Sequence, residues 1–146
     1  FYDSLAAALP VPVLNMPRLT AADAKAAGCH KLGILATDGT LLAETYQIAC
    51  RDIGLEWAAP GEQAQKGIMS IIYDEIKQGK RVDMQLFNAA VDDLHAQGCD
   101  MAVLGCTELS LVKRDEHLGQ FFIDSTEVLC KHAMRACGVE PVGFED

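Results

Sequence analysis

Two uncharged pentapeptides, LGILA at 32–36 and MAVLG at 101–105, constrain the fold of this chain more than any other feature. Each is short for a helix and apolar throughout, so each is expected to be a strand buried on both faces. Strands of that kind belong to parallel sheets covered by helices on either side. The intervening segments have helical spacing. Thr20 is placed to cap a helix over 21–28 that Gly28 stops. After the turn Thr37-Asp38-Gly39-Thr40 comes a second helix, with Leu41, Leu42, Thr45, Ile48, Ala49 and Ile53 on one side and Gly54 behind it. Glu62 to Lys77 repeats Ile68, Ile71, Ile72 and Ile76, and Val82 to Gln97 repeats Leu86, Ala90, Val91 and Leu94. Ser125 or Thr126 caps a last helix through Ala136. LEWAA (55–59) and FFID (121–124) read as further strands, and VPVLNM (11–16) as a short one that its prolines confine to an edge or a strand start. The expected fold is α/β, a parallel sheet flanked by helices in three layers, αβα.

Charge and cysteine usage narrow the function classes. Twelve Lys plus Arg against 21 Asp plus Glu give a net charge of −9, which argues against a nucleic-acid partner, because phosphate binding needs a surplus of cations. Half the residues are apolar, which excludes a disordered chain, but no stretch reaches the ~18 uncharged apolar residues of a membrane helix. The six cysteines (29, 50, 99, 106, 130, 137) contain no CxxC pair and the four histidines no HxxxH pattern, so no metal site is expected. With no signal peptide recognisable, they are expected to be reduced thiols in a cytoplasm, most of them small buried residues.

Ligands of parallel sheets bind at the carboxyl ends of the strands, where loops meet helix N-termini. Two loops qualify, the one after 32–36 and the one after 101–105. Cys106 follows Gly105 in the second; a thiol near free backbone N–H groups can serve as base or nucleophile, and the alternative is a buried apolar cysteine. Thr37 and Thr40 could hold a carboxylate through hydroxyls and amides, or simply cap a helix, with Asp38 as a rival cap. Glu108 could polarise an ammonium group or hydrogen-bond the thiol, or be a solvated loop carboxylate. Lys77, Lys80 and Arg81 form the one basic cluster, either an anchor for an anionic substrate or cations stabilised by a helix C-terminus.

Taken together, LGILATDGTLLAETY, IIYDEIKQG, AQGCDMAVLGCTELSLV and FIDSTEVL resemble, in order and spacing, the aspartate/glutamate racemase family of cofactor-independent amino-acid racemases. The resemblance covers nearly all 146 residues, and GCTE behind an apolar strand is its most specific part. It implies two similar lobes, each giving one cysteine to a cleft, with one thiolate removing the Cα proton while the other thiol donates to the opposite face. Cys106 then resembles the second catalytic cysteine, with Glu108 beside it where other members of the wider family carry His. Thr107 with nearby amides would hold the substrate α-carboxylate, Thr37 and Thr40 match the substrate-side turn, and Lys77 resembles the lysine used on a side-chain carboxylate. The partner implied is a small amino acid or dicarboxylate, with no cofactor; a homodimer stays open.

The first-cysteine motif, an Asn-Thr pair ahead of a segment like 1–16, does not occur, and the chain opens on FYDSLAAALP as though inside a helix. The expectation is therefore a C-terminal portion, inactive alone. Residues 1–19 would be a remnant of the first lobe, 20–119 the second lobe, and 120–146 a strand and helix returning to the first. Related cysteine enzymes (maleate isomerase, arylmalonate decarboxylase) and a non-catalytic ligand-binding homologue are the alternatives.

Overall fold

The structure, a computed structural model, describes residues 2–144. Phe1, Glu145 and Asp146, at the outer ends of the expected 1–19 and 120–146 segments, lie outside the described residues. Four strands, β1 (Lys31–Leu35), β2 (Glu56–Ala58), β3 (Met101–Leu104) and β4 (Phe122–Asp124), form one sheet in the order β2-β1-β3-β4. All three pairings are parallel, and Leu35 lies opposite Leu104. Helices cover both faces, as the doubly apolar strands require. Helix α1 (Tyr2–Ala8) opens the described chain; on one face of the sheet lie α2 (Met16–Ala26), α4 (Thr45–Asp52) and α8 (Ser125–Ala136), α8 packing on α2. On the other lie α5 (Glu62–Ser70), α6 (Met84–Ala96) and α7 (Thr107–Glu116).

Strand alternation divides the core between these layers. Leu32, Ile34 and Val103 join Ala21, Tyr46 and Cys50 on one side. Leu35, Ala102 and Leu104 join Ile68, Ile71, Phe87 and Leu109 on the other. Each fully buried Leu or Ile contributes about 1.5–3 kcal/mol, so these two clusters dominate the stabilisation of the sheet. At the amino end of the sheet, the Asp100 carboxylate fastens the start of β1 to the start of β3. It accepts the N–H of His30 (2.9 Å) and of Lys31 (3.1 Å) and the Cys29 thiol (3.1 Å). Partial desolvation pushes this carboxyl up, but those donors outweigh it and hold the group well below the usual carboxylate range.

Several local expectations give way to tertiary context. No strand forms at 11–16; the Asn15 side chain accepts the Arg18 N–H at 3.0 Å and starts α2, with Pro17 in its first turn, where a missing N–H costs nothing. Thr20 is an interior residue rather than a cap, its buried hydroxyl donating to Met16 O. The helix expected after Thr40 breaks into α3 (Asp38–Leu42) and α4 at Glu44, whose φ of 50° is left-handed, and Leu42 is left exposed. The helix from Glu62 ends at Ser70, continuing as a π turn (Ile71–Glu75) and a 3-10 turn (Ile76–Gln78). Helix α7 was not expected; only Leu109 and Val112 of its ten residues are buried, too sparse a signal to read as a periodic face. Asp124 caps α8 in place of Ser125 or Thr126, and Ser125 Oγ instead donates to Leu104 O. No helix among the described residues is long and apolar enough to cross a membrane.

Two glycines, Gly33 within β1 and Gly105 just after β3, separate rigid from yielding neighbours. A Cβ on Gly105 would lie 2.8 Å from the Tyr46 ring and 3.2 Å from Leu35 O, whereas one on Gly33 would meet only the Leu94 side-chain tip at 2.6 Å. Urea unfolding should therefore show Gly105→Ala losing ~1–3 kcal/mol and Gly33→Ala losing less, as Leu94 can rotate away. Equal losses would show that the Tyr46 side yields as readily.

Candidate active site

The sheet order fixes where a ligand can sit. From β1 the chain moves outward to β2, then returns across β1 to β3, so the strand order reverses between β1 and β3. In open parallel sheets, ligands bind at such a reversal, in the crevice beyond the carboxyl ends of the two strands. Gly105 N–H donates to Leu35 O at 2.8 Å, bringing the Ala36–Thr37 and Gly105–Cys106 turns side by side.

Cys106 is the residue before α7 and makes no side-chain capping bond. Its thiol donates to Glu108 Oε2 at 2.7 Å, the Thr107 hydroxyl donates to the same oxygen at 3.1 Å, and Lys77 Nζ lies 3.6 Å from Glu108 Oε1. The Lys77 ammonium also sits 4.1 Å above the Tyr73 ring, a cation–π contact at helical spacing. Burial first, then the bond to the Glu108 carboxylate, pushes the Cys106 thiol up to about 11. The same bond is the main reason the Glu108 carboxyl lies below its ordinary value, with its own N–H, Thr107 and Lys77 adding to it against desolvation. Near neutral pH the site therefore pairs a protonated thiol with an anionic carboxylate.

Thr37 and Thr40 form a second group on the neighbouring turn. Thr37 Oγ1 caps α3, accepting the Thr40 N–H at 3.3 Å and meeting Thr40 Oγ1 at 3.0 Å. The capping role is thus occupied, and among the described residues no hydrogen bond joins this pair to the Cys106–Glu108 group. The basic cluster divides: Lys77 turns to Glu108, while Lys80 and Arg81 line a separate cleft with Leu111, Asp115 and Glu116. The other cysteines are elsewhere, with Cys29, Cys50 and Cys99 buried and Cys130 and Cys137 exposed on or just after α8. Among the described residues no three His, Cys, Asp or Glu side chains gather as metal ligands would.

Three residues of the crevice escaped sequence reasoning. Tyr46 packs beneath Gly105, and its buried hydroxyl has no hydrogen-bond partner among the described residues. Gln65, also buried, donates to Ala36 O at 2.9 Å and Asp38 Oδ1 at 2.8 Å and so steadies the first turn. Tyr73 underlies Lys77. Gln65 stands three residues before Ile68, so a polar residue on the inner face of α5 was the available signal.

Residues 1–133 match the family described as Asp/Glu/Hydantoin racemase. A Pectobacterium carotovorum subsp. carotovorum protein, described as an uncharacterized protein in the pnlA 3′ region, is 30% identical over 109 residues, 73% of each chain. Among solved structures, a candidate Asp/Glu racemase from Yersinia pestis superposes with a TM-score of 0.78 at 26% identity, covering 94% of this chain. An aspartate racemase homologue from Pyrococcus horikoshii OT3 has the same TM-score at 23% identity and covers 93%, a likeness of fold. The chain spans 60% and 61% of the length of these two.

The thiol–carboxylate bond makes a direct forecast. Glu108→Gln removes both the anionic acceptor and its repulsion of a thiolate, so the Cys106 pKa should fall from about 11 toward the ordinary value near 9. Peptide-resolved iodoacetamide labelling across pH 7–11 would show Cys106 alkylated at lower pH in the variant. An unmoved profile would mean that burial alone sets the thiol.

Proposed function

Because the chain belongs to the Asp/Glu/hydantoin racemase family, we propose that its β1–β3 crevice is one half of an amino-acid racemase site acting on an acidic amino acid. The observation that carries the proposal is the Cys106–Glu108–Lys77 chain at the point where the strand order reverses. The Cα–H of an amino acid is a very weak acid. Its removal demands a positioned base, donors for the developing negative charge, and exclusion of water.

In this reading Cys106 serves one face of Cα. As the protonated thiol it delivers a proton, while a thiolate on the opposite face removes one; in the reverse direction the roles exchange. Glu108, anionic and 2.7 Å away, accepts the hydrogen bond of the Cys106 thiol and so aims it, and Thr107 steadies that carboxylate. The first amides of α7, with the Thr107 hydroxyl, receive the substrate α-carboxylate, and the Thr37–Thr40 turn forms the facing wall. Lys77, whose side chain is 41% exposed, has the freedom to lean from Glu108 toward a side-chain carboxylate. Cys106 is the one cysteine among the described residues at the carboxyl ends of the strands. Inversion therefore needs an opposing thiol from a facing lobe, and residues 1–146 by themselves do not racemise.

Lys77 tests the substrate assignment. In the enzyme assembled with its facing lobe, Lys77→Ala should raise KM for aspartate or glutamate at least tenfold, yet change it little for alanine, which has no side-chain carboxylate. Chiral chromatography of timed reactions supplies both constants. Equal effects on all substrates would return Lys77 to tuning Glu108 alone.

A further inference from the structure

A cleft of about 500 Å³ contains none of the residues assigned above. It lies along the free edge of β4, between the end of α7 and one face of α8. That face presents Asp124, Glu127, Val128 and Lys131, the i, i+3, i+4, i+7 stripe of a helix. Most charges on the wall are already matched: Glu127 by Lys113 at 2.7 Å and Asp23 by His132 at 3.0 Å.

Two groups are not matched in this way. Asp124 as a residue is only 3% exposed, and its Oδ1 takes every hydrogen bond made to the side chain, from Ser110 Oγ and the N–H groups of Thr126 and Glu127. Its Oδ2 has no partner among the described residues. Lys131 Nζ rests 5.0 Å from the Phe144 ring and pairs with no described carboxylate. Lys131 stands seven positions after Asp124, about 10 Å along the helix axis, with apolar Val128 between them.

We propose that this cleft binds a zwitterion whose ammonium and carboxylate are held apart by an apolar chain, an ω-amino acid. The ammonium meets Asp124 Oδ2, the chain lies on Val128, and the carboxylate meets Lys131. An α-amino acid does not fit this pattern, because its two charges share one carbon. The site is thus chemically distinct from the Cys106 crevice and stands independently of the racemase reading.

Titration of the ¹⁵N-labelled 146-residue chain with 6-aminohexanoate tests it. Saturable shifts should appear at the amides of 118–123 and 127–131 and not at 105–108. Hexanoate, hexylamine and glycine should each bind at least about tenfold more weakly, since each loses a charge-assisted contact or the span between two. Lys131→Met should remove the advantage over hexylamine, and Asp124→Asn, which keeps a capping oxygen, the advantage over hexanoate. Absence of saturable shifts, equal binding of the single-charge probes, or undiminished binding in both variants would overturn the proposal.

Discussion

Everything at the site depends on the parallel pairing of β1 with β3. Leu35 opposite Leu104 brings two strand-to-helix turns to the same height, and Gly105 N–H to Leu35 O locks them edge to edge. At the other end of the strands Asp100 performs the matching task, gathering Cys29, His30 and Lys31 against the start of β3. A one-residue slip would exchange the faces of Val103 and Leu104 and carry Cys106 out of the crevice. The close approach is possible because position 105 has no side chain: the Tyr46 ring and Leu35 O occupy the space that a Cβ would take.

The chemistry follows from that placement. Burial alone would raise the Cys106 thiol; the adjacent Glu108 raises it further while being lowered itself, so one short hydrogen bond explains opposite shifts on its two partners. Lys77 and Thr107 help hold the carboxylate anionic, which keeps Glu108 a hydrogen-bond acceptor for the protonated thiol. A thiol with its own acceptor beside it, at the opening of a helix, is suited to giving and retaking a single proton.

How much of this was legible in the sequence differs by level. The α/β class and the two central strands follow from LGILA and MAVLG, because a short run buried on both faces has few other destinies. The placement of Cys106 and Glu108 at the carboxyl end of the sheet was legible because they directly follow such a strand. The details that failed are those where side chains compete for a backbone end: Asn15 over Thr20 at α2, and Asp124 over Ser125 at α8. Lys77 joined Glu108 while Lys80 and Arg81 did not, since the π and 3-10 turns after Ser70 separate residues that composition alone had grouped. Tyr46 and Gln65 were hidden because their importance comes from contacts with turns distant in sequence. They support the crevice from below.

The central claim is that Cys106 exchanges a proton with one face of Cα. Proton NMR in D₂O, following the Cα–H of each pure enantiomer of aspartate in the enzyme assembled with its facing lobe, tests this most directly. With Cys106→Ala, racemisation should fall by ~10²–10⁴ or more, while Cα–H exchange survives for one enantiomer and is lost for the other, provided thermal melting shows the variant folded. Exchange lost equally for both enantiomers, or retained for both, would contradict the account.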